Sequence, residues 1–226
     1  DWARDAGART CCQLNPEFYR HAMYRLPHPD GWGNPTSWRQ ELLPDGTRHV
    51  PFPVDLTKFP DRHRWRDQPA REPRFLHPVG RSSVFDRAGT ETFSRACHLA
   101  GALDATITSL EPLPADLQPA GDWVKVEIGA TPNYWDAYSG FDVMVLPRKY
   151  GGLCLPTVEA MAAGLAVVMP GASPNLDWPV LPVPATRGGR VPRPAGWTPL
   201  VDVDPAGVAN EMLRLRDDPQ RLAEAR

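Results

Sequence analysis

The stretch RKYGGLCLPTVEA, from Arg148 to Ala160, is the part of this chain best suited to chemistry. It places Arg148, Lys149, Gly151 and Gly152 ahead of a helix that starts near Leu155, with Pro156 in its first turn. Amides at a helix N-terminus have no partner within the helix and lie at the positive end of its dipole, so they attract anions. Glycines let a ligand approach the backbone closely. The backbone of Gly151, Gly152 and Leu153, with the charges of Arg148 and Lys149, therefore suits a diphosphate. One carboxylate, Glu159, follows on the helix. Two readings fit it equally: it complements the helix dipole, or it accepts hydrogen bonds from the vicinal hydroxyls of a ribose, as acids do in dinucleotide sites.

Such a loop needs a sheet to hold it. From Pro73 onward the pattern alternates strands and helices. Strands are predicted at 74–80, 104–110, 123–129, 141–147 and 165–170, with a weak one at 180–184. Helices are predicted at 89–101, 132–140 and 154–164, with one or two over 204–226. The run FDVMVLP (141–147) is continuously apolar, as in a sheet covered on both faces. This spacing predicts an α/β fold with a doubly wound parallel sheet, whose ligands lie beyond the carboxyl ends of the strands. The segment TRGGRVPRPAGWTP (186–199) reads as a loop, because Gly, Pro and Arg dominate it. Before residue 50 the chain is rich in aromatics and proline, with helical turns predicted at 1–6, 15–24 and 35–43 and an extended stretch from Arg48. The charged, aperiodic 61–73 reads as a linker or exposed loop.

Of 226 residues, 42% are hydrophobic and 23% charged, which is globular composition. A net charge of -2 argues against nonspecific nucleic-acid binding through a basic surface. Cys11, Cys12, Cys97 and Cys154 include no C-x-x-C pair and stand beside no His cluster, so they read as buried thiols of a cytoplasmic protein rather than a zinc site. No apolar run has the length of a membrane span. The chain starts without Met in a helix-like stretch and stops within a helical pattern, so it is read as a fragment.

The segment FDVMVLPRKYGGLCLPTVEAMAAGLAVVMPG (141–171) resembles the donor-binding segment of GT-B glycosyltransferases of the large family-4-like group. That segment reads approximately D-x-x-x-x-P-S-x-x-E-G-F-G-L-P-x-x-E-A-M-A-x-G-x-P-V-V. Asp142, Pro147, Gly152, Leu155, Pro156, Glu159, Ala160, Met161, Ala162, Gly164, Val167 and Val168 fall on its positions. FLHPVGRSSVFDRAGTETFSRA resembles the family's G-R-x(n)-K-G stretch through Gly80, Arg81, Gly89 and Ala96. HVPFPVDLTKFPD resembles the stretch between its two domains through Val54, Asp55 and Phe59. The resemblance covers about 50–226. It divides the chain into residues 1–58, the end of an N-terminal acceptor-side domain and the interdomain stretch; 59–73, a linker; and 74–226, a Rossmann-like domain that binds a nucleotide-sugar. Most of the N-terminal domain would be missing. The short loop is similar to those of bacteriophage or actinobacterial members.

The resemblance implies transfer of a sugar from a nucleotide-diphosphate sugar, with retention of configuration and with neither metal nor cofactor. It makes Arg81, Arg87 and the backbone of 151–153 the diphosphate clamp, with Arg148 and Lys149 beside them, and Glu159 the ribose ligand. Two departures count. Gly151 stands where the family has the first of two glutamates, near the transferred sugar, and Ala88 stands where it has a phosphate-binding Lys. Arg87 is the neighbour able to substitute, through its planar fork. No catalytic residue is assigned. His21, His28, His49 and His77 are candidate bases by residue type; His77, in an apolar strand, reads as a core histidine, and His49 is the first to mutate. The Trp- and Tyr-rich 17–38 reads as core before sugar platform. The acceptor is a glycan, protein, lipid or modified DNA base. The departures keep open a protein that binds nucleotide-sugars without transfer, and a GT-B epimerase or phosphorylase.

Overall fold

The computed structural model describes residues 2–16, 19, 28–59, 71–81, 85–193 and 196–226. Six strands form one parallel sheet: β4 (Arg74–Gly80), β5 (Asp104–Ser109), β6 (Lys125–Ile128), β7 (Val143–Val145), β8 (Ala166–Pro170) and β9 (Leu181–Val183). Their order across the sheet is β6-β5-β4-β7-β8-β9. The chain therefore winds outward one way from β4, returns, and winds the other way from β7. The topological switch point lies between β4 and β7, the place where open parallel sheets leave a crevice for ligands.

The apolar runs of the central strands serve two layers at once, because successive side chains point to opposite faces. Phe75, Val143, Val145, Ala166 and Val168 join one core with Phe93 and Cys97 of α2 (Thr90–Ala100) and Met212 and Leu215 of α4 (Pro205–Asp217). Their neighbours Leu76, Met144, Leu146, Val167 and Met169 join a second core with Ala160 and Ala162 of α3 (Leu155–Ala162). Helix α4 packs against α2 and is followed by a short helix, α5 (Pro219–Glu224). Asp142, buried just before β7, ties the lower ends of the sheet together: its carboxylate accepts from the Arg74 amide at 2.8 Å and pairs with Arg71 at 2.7 Å and with Arg226.

One glycine brings the site's two halves together. Gly89, ahead of α2, has φ of +79°, and a Cβ on it would fall 2.1 Å from the Pro147 carbonyl oxygen. This close approach seats the segment before α2 on the chain leaving β7, where the Lys149 amide donates to the Arg87 carbonyl at 2.9 Å.

The other elements depart further from expectation. The N-terminal part holds a short helix, α1 (Trp2–Asp5), and a small parallel sheet of β1 (Cys11–Gln13), β2 (Gly31–Asn34) and β3 (Arg48–His49). The helix expected over 35–43 is a single 3-10 turn at Gln40–Leu42, because Arg39 at φ 53° breaks any helix before it starts. The helix expected over 15–24 and the linker 59–73 fall mostly outside the described residues. The loop expected over 186–199 is an antiparallel hairpin of β10 (Ala185–Arg193) and β11 (Gly196–Val203). Its Gly and Pro content hid the pairing, and a bulge between Arg187 and Arg190 absorbs the two glycines. The cysteines also divide: Cys97 is buried, and burial pushes its thiol up to about 12, whereas Cys11 and Cys12 are exposed.

His77 is a core residue of β4, as its apolar setting suggests. Its Nδ1 lies 2.9 Å from the Val145 carbonyl oxygen, its Nε2 lies 3.1 Å from the Thr90 hydroxyl, and its ring stacks on Phe93. Burial pulls its pKa from 6.5 to about 4, against smaller opposing effects of the Val145 bond and Asp86. The folded state thus holds the neutral ring and the unfolded state binds the proton. The stability this gives is complete above pH 6.5 and is lost as pH falls toward 4. Chemical denaturation should show a loss approaching about 3 kcal/mol across that window, and His77→Gln should flatten it between pH 7 and 5. Equal slopes for both proteins would refute this.

Candidate functional site

β4 and β7, the strands flanking the switch point, both end at one cleft of about 730 Å³. Pro78, Val79 and Arg81 line it from β4; Phe85, Asp86, Arg87 and Ala88 from the segment before α2; Leu146, Arg148 and Tyr150 from the exit of β7. Leu153, Cys154, Leu155 and Pro156 add the start of α3, and Arg193 reaches it from the hairpin. Four guanidinium groups thus border the cleft, against one carboxylate.

That carboxylate is already engaged. Asp86 accepts from the amides of Gly89, Thr90 and Glu91 at 3.0, 2.8 and 3.1 Å and lies 3.5 Å from Lys149 Nζ. Burial alone would raise its pKa; the amide bonds and the Lys149 charge outweigh burial and hold it below the ordinary carboxylate value. The N-terminus of α2 is therefore capped from within, which leaves the start of α3 as the helix end facing the cleft. The Cys154 side chain makes no capping bond to α3.

Each expected site residue has a definite place. Arg81 is exposed at the cleft's edge, after Gly80. Arg87 lines the cleft, with its guanidinium 4.9 Å from the Tyr150 ring centre and Nε donating to the Tyr150 carbonyl at 3.4 Å. Arg148 is buried beneath the loop. Its Nε and Nη2 donate to the Tyr150 carbonyl at 3.3 and 3.1 Å, and its Nη1 donates to the Gly152 carbonyl at 3.3 Å. It holds the loop's shape and leaves its positive charge under the cleft floor. Gly151, at φ of +129°, makes the turn that sets these carbonyls inward. Gly152 lies against Trp38: a Cβ there would come within 3.2 Å of that ring. Leu153 lines the cleft, whereas Lys149, Gly151, Gly152 and Glu159 are not among its lining residues. Lys149 instead faces Asp86 and borders a separate polar depression with Glu91, Arg95 and Asp202.

Glu159 stands one helical turn beyond Leu155, on the same face of α3. It is half-buried, and its Oε2 accepts from the Tyr138 hydroxyl at 2.6 Å. Burial, then this bond, raises the Tyr138 pKa, so the phenol keeps its proton. Of the histidines, His77 is in the core, His28 packs edge-on against Trp32, and His49 is exposed with Nε2 3.3 Å from the Pro35 carbonyl oxygen. None of these three lines the cleft; His21 lies outside the described residues. Trp32 and Trp38 serve packing, with Leu14, Tyr19 and Leu43 and with Gly152 respectively.

Arg193 and Asp86 were missed by the sequence reading. The signal for Asp86 was an acid three residues ahead of a helical Gly-Thr start. Arg193 had none, because its strand did not look like one.

The segment 34–39 crosses onto this half of the molecule. The Ser37 amide and hydroxyl donate to Asp177, both at 2.7 Å, and Arg39 Nη1 donates to the Thr198 hydroxyl at 3.0 Å.

No family model matches the sequence, and no curated protein does. Solved structures do match. Sucrose-phosphate synthase from Thermosynechococcus elongatus is 22% identical over 88% of this chain, with a TM-score of 0.59. The match covers 51% of that protein, so this chain spans about half its length. The C-terminal domain of a group 1 family glycosyl transferase from Francisella tularensis is 17% identical over 76% of this chain and 92% of its own, with a TM-score of 0.51. HepE from Anabaena, in complex with UDP and glucose, is 14% identical over 98% of this chain and 65% of its own, with a TM-score of 0.63. With its strand order and its cleft at the switch point, the chain has the GT-B fold, and the six-stranded sheet is its Rossmann-like C-terminal part.

Proposed function

We propose that the cleft between β4 and β7 binds a nucleotide-diphosphate sugar and that the protein transfers the sugar to an acceptor hydroxyl. The observation that carries this reading is the convergence of Arg81, Arg87, Arg148 and Arg193 with the start of α3 on one crevice at the switch point. The similarity of fold to HepE, whose structure holds UDP and glucose, supports it.

In transfer, the bond from the sugar's anomeric carbon to the diphosphate breaks and the electron pair leaves with the diphosphate. The acceptor oxygen bonds that carbon and passes its proton to an oxygen of the departing diphosphate. Negative charge grows on the leaving group, and fixed guanidinium groups and amide dipoles beside it lower the barrier without a metal. Arg81, exposed at the cleft edge, and Arg87 contact the diphosphate, Arg148 adds its field from below, and the start of α3 supplies amides. Glu159, one turn beyond the cleft-lining Leu155, is the ribose ligand that the resemblance implies; a ribose reaching past Leu155 would meet its Oε1, since Tyr138 holds Oε2. No cofactor is needed, and the resemblance to retaining enzymes favours retention. A second reading, donor binding without transfer, rests on Gly151, which puts no side chain beside the sugar.

Titration calorimetry against UDP-, GDP- and ADP-sugars tests the reading, and Glu159→Ala should weaken the donor that binds by about 1–3 kcal/mol. A folded variant with unchanged affinity would remove Glu159 from the site, and failure of every donor would remove the proposal. Release of nucleoside diphosphate on incubation with donor separates transfer or hydrolysis from binding alone.

A further inference from the structure

We infer that the β10–β11 hairpin is part of the nucleotide site and that Arg193 binds the terminal phosphate, so that the protein selects diphosphates over monophosphates. This rests on the reading of the cleft given above. The Tyr150 ring gathers two cations from different elements: the Arg87 guanidinium carbon lies 4.9 Å from its centre and that of Arg193 lies 4.8 Å from it. The two carbons are thus within about 10 Å of each other, close enough for one diphosphate to bridge them. Among the described residues Arg193 has no carboxylate partner. An aromatic face fixes a guanidinium's position without neutralising it, so the charge remains for an anion.

The hairpin is fastened to the loop it would serve. The Val201 amide donates to the Lys149 carbonyl at 2.7 Å, one residue before Tyr150. Thr198, fully buried, holds Arg39 through its hydroxyl. These bonds set the register that brings Arg193, near the hairpin's tip, over Tyr150. A single phosphate near Arg81 and Arg87 satisfies that side of the cleft; a second phosphate extends the charge toward Arg193.

The test is calorimetric titration of the full chain with UDP, GDP and ADP beside UMP, GMP and AMP. The wild type should favour the diphosphate of its preferred nucleoside about ten-fold or more, as one charge-assisted hydrogen bond gives. Arg193→Gln should weaken the diphosphate by about that factor and leave the monophosphate within about two-fold; Arg193→Lys should fall between. If Arg193→Gln binds the diphosphate like the wild type, or weakens both nucleotides equally, Arg193 has no such role while the cleft stands as a nucleotide site. If no nucleotide binds the wild type, both the inference and the reading beneath it fall.

Discussion

Gly89→Ala should lower stability by about 2–5 kcal/mol, from roughly 1–2 kcal/mol of left-handed backbone strain and a further 1–3 of overpacking. The strain follows from φ of +79°, and the overpacking from a methyl group placed 2.1 Å from the Pro147 carbonyl oxygen. The obstacle is backbone, so no rotamer change relieves it; α2 must move off β7. For a chain of this size the melting temperature should fall on the order of 10 °C. Gly80→Ala is the matched control. Gly80 also has positive φ, +70°, but a Cβ there meets nothing within 4 Å, so only the backbone strain of roughly 1–2 kcal/mol applies. Thermal melts of the two variants that coincide would show that the contact with Pro147 is not tight. Because Gly89 also fixes Arg87 beside Tyr150, nucleotide affinity should fall with it.

Arg148→Met should lose both stability and nucleotide affinity. The substitution removes a buried guanidinium, which relieves some desolvation cost. It also removes three hydrogen bonds made by a charged group, two to the Tyr150 carbonyl, which keeps the Arg87 Nε donor at 3.4 Å, and one to the Gly152 carbonyl. The net loss should be about 1–3 kcal/mol by denaturant titration. Affinity for a diphosphate should drop about ten-fold or more, as the loop relaxes and the charge under the cleft disappears. The coupling is the diagnostic: affinity lost at full stability would mean that Arg148 reaches the ligand directly, and neither lost would mean that the loop holds itself.

The legible and illegible parts of this protein divide by the range of the interactions involved. The sheet could be read because each buried strand writes its own apolar run, and because Leu155-Pro156 and Asp204-Pro205 announce helix starts locally. The cleft's place followed from the rule that ligands lie beyond the carboxyl ends of parallel strands. The use made of each arginine did not. Arg148 and Lys149 are adjacent and alike in charge, yet one lies beneath the loop on carbonyls and the other faces Asp86. That choice is settled by tertiary partners with no local signature. Arg193 was hidden for a different reason: a hairpin of Arg, Gly and Pro has no periodicity to detect until its partner strand is known. The 3-10 turn after Arg39 shows the converse: Asn34 and Pro35 have the residue types of a helix cap and first turn, and the left-handed backbone of Arg39 cancels them.

The bonds from Ser37 to Asp177 and from Arg39 to Thr198 join positions 140 and 159 residues apart in sequence. Closing such spans is entropically expensive before the intervening sheet exists. These bonds are therefore expected to form after the folding barrier, so that Ser37→Ala should speed unfolding and leave the refolding rate unchanged. On this account the strap of residues 34–39 would lengthen the life of a finished molecule, while the speed of its making would belong to the sheet.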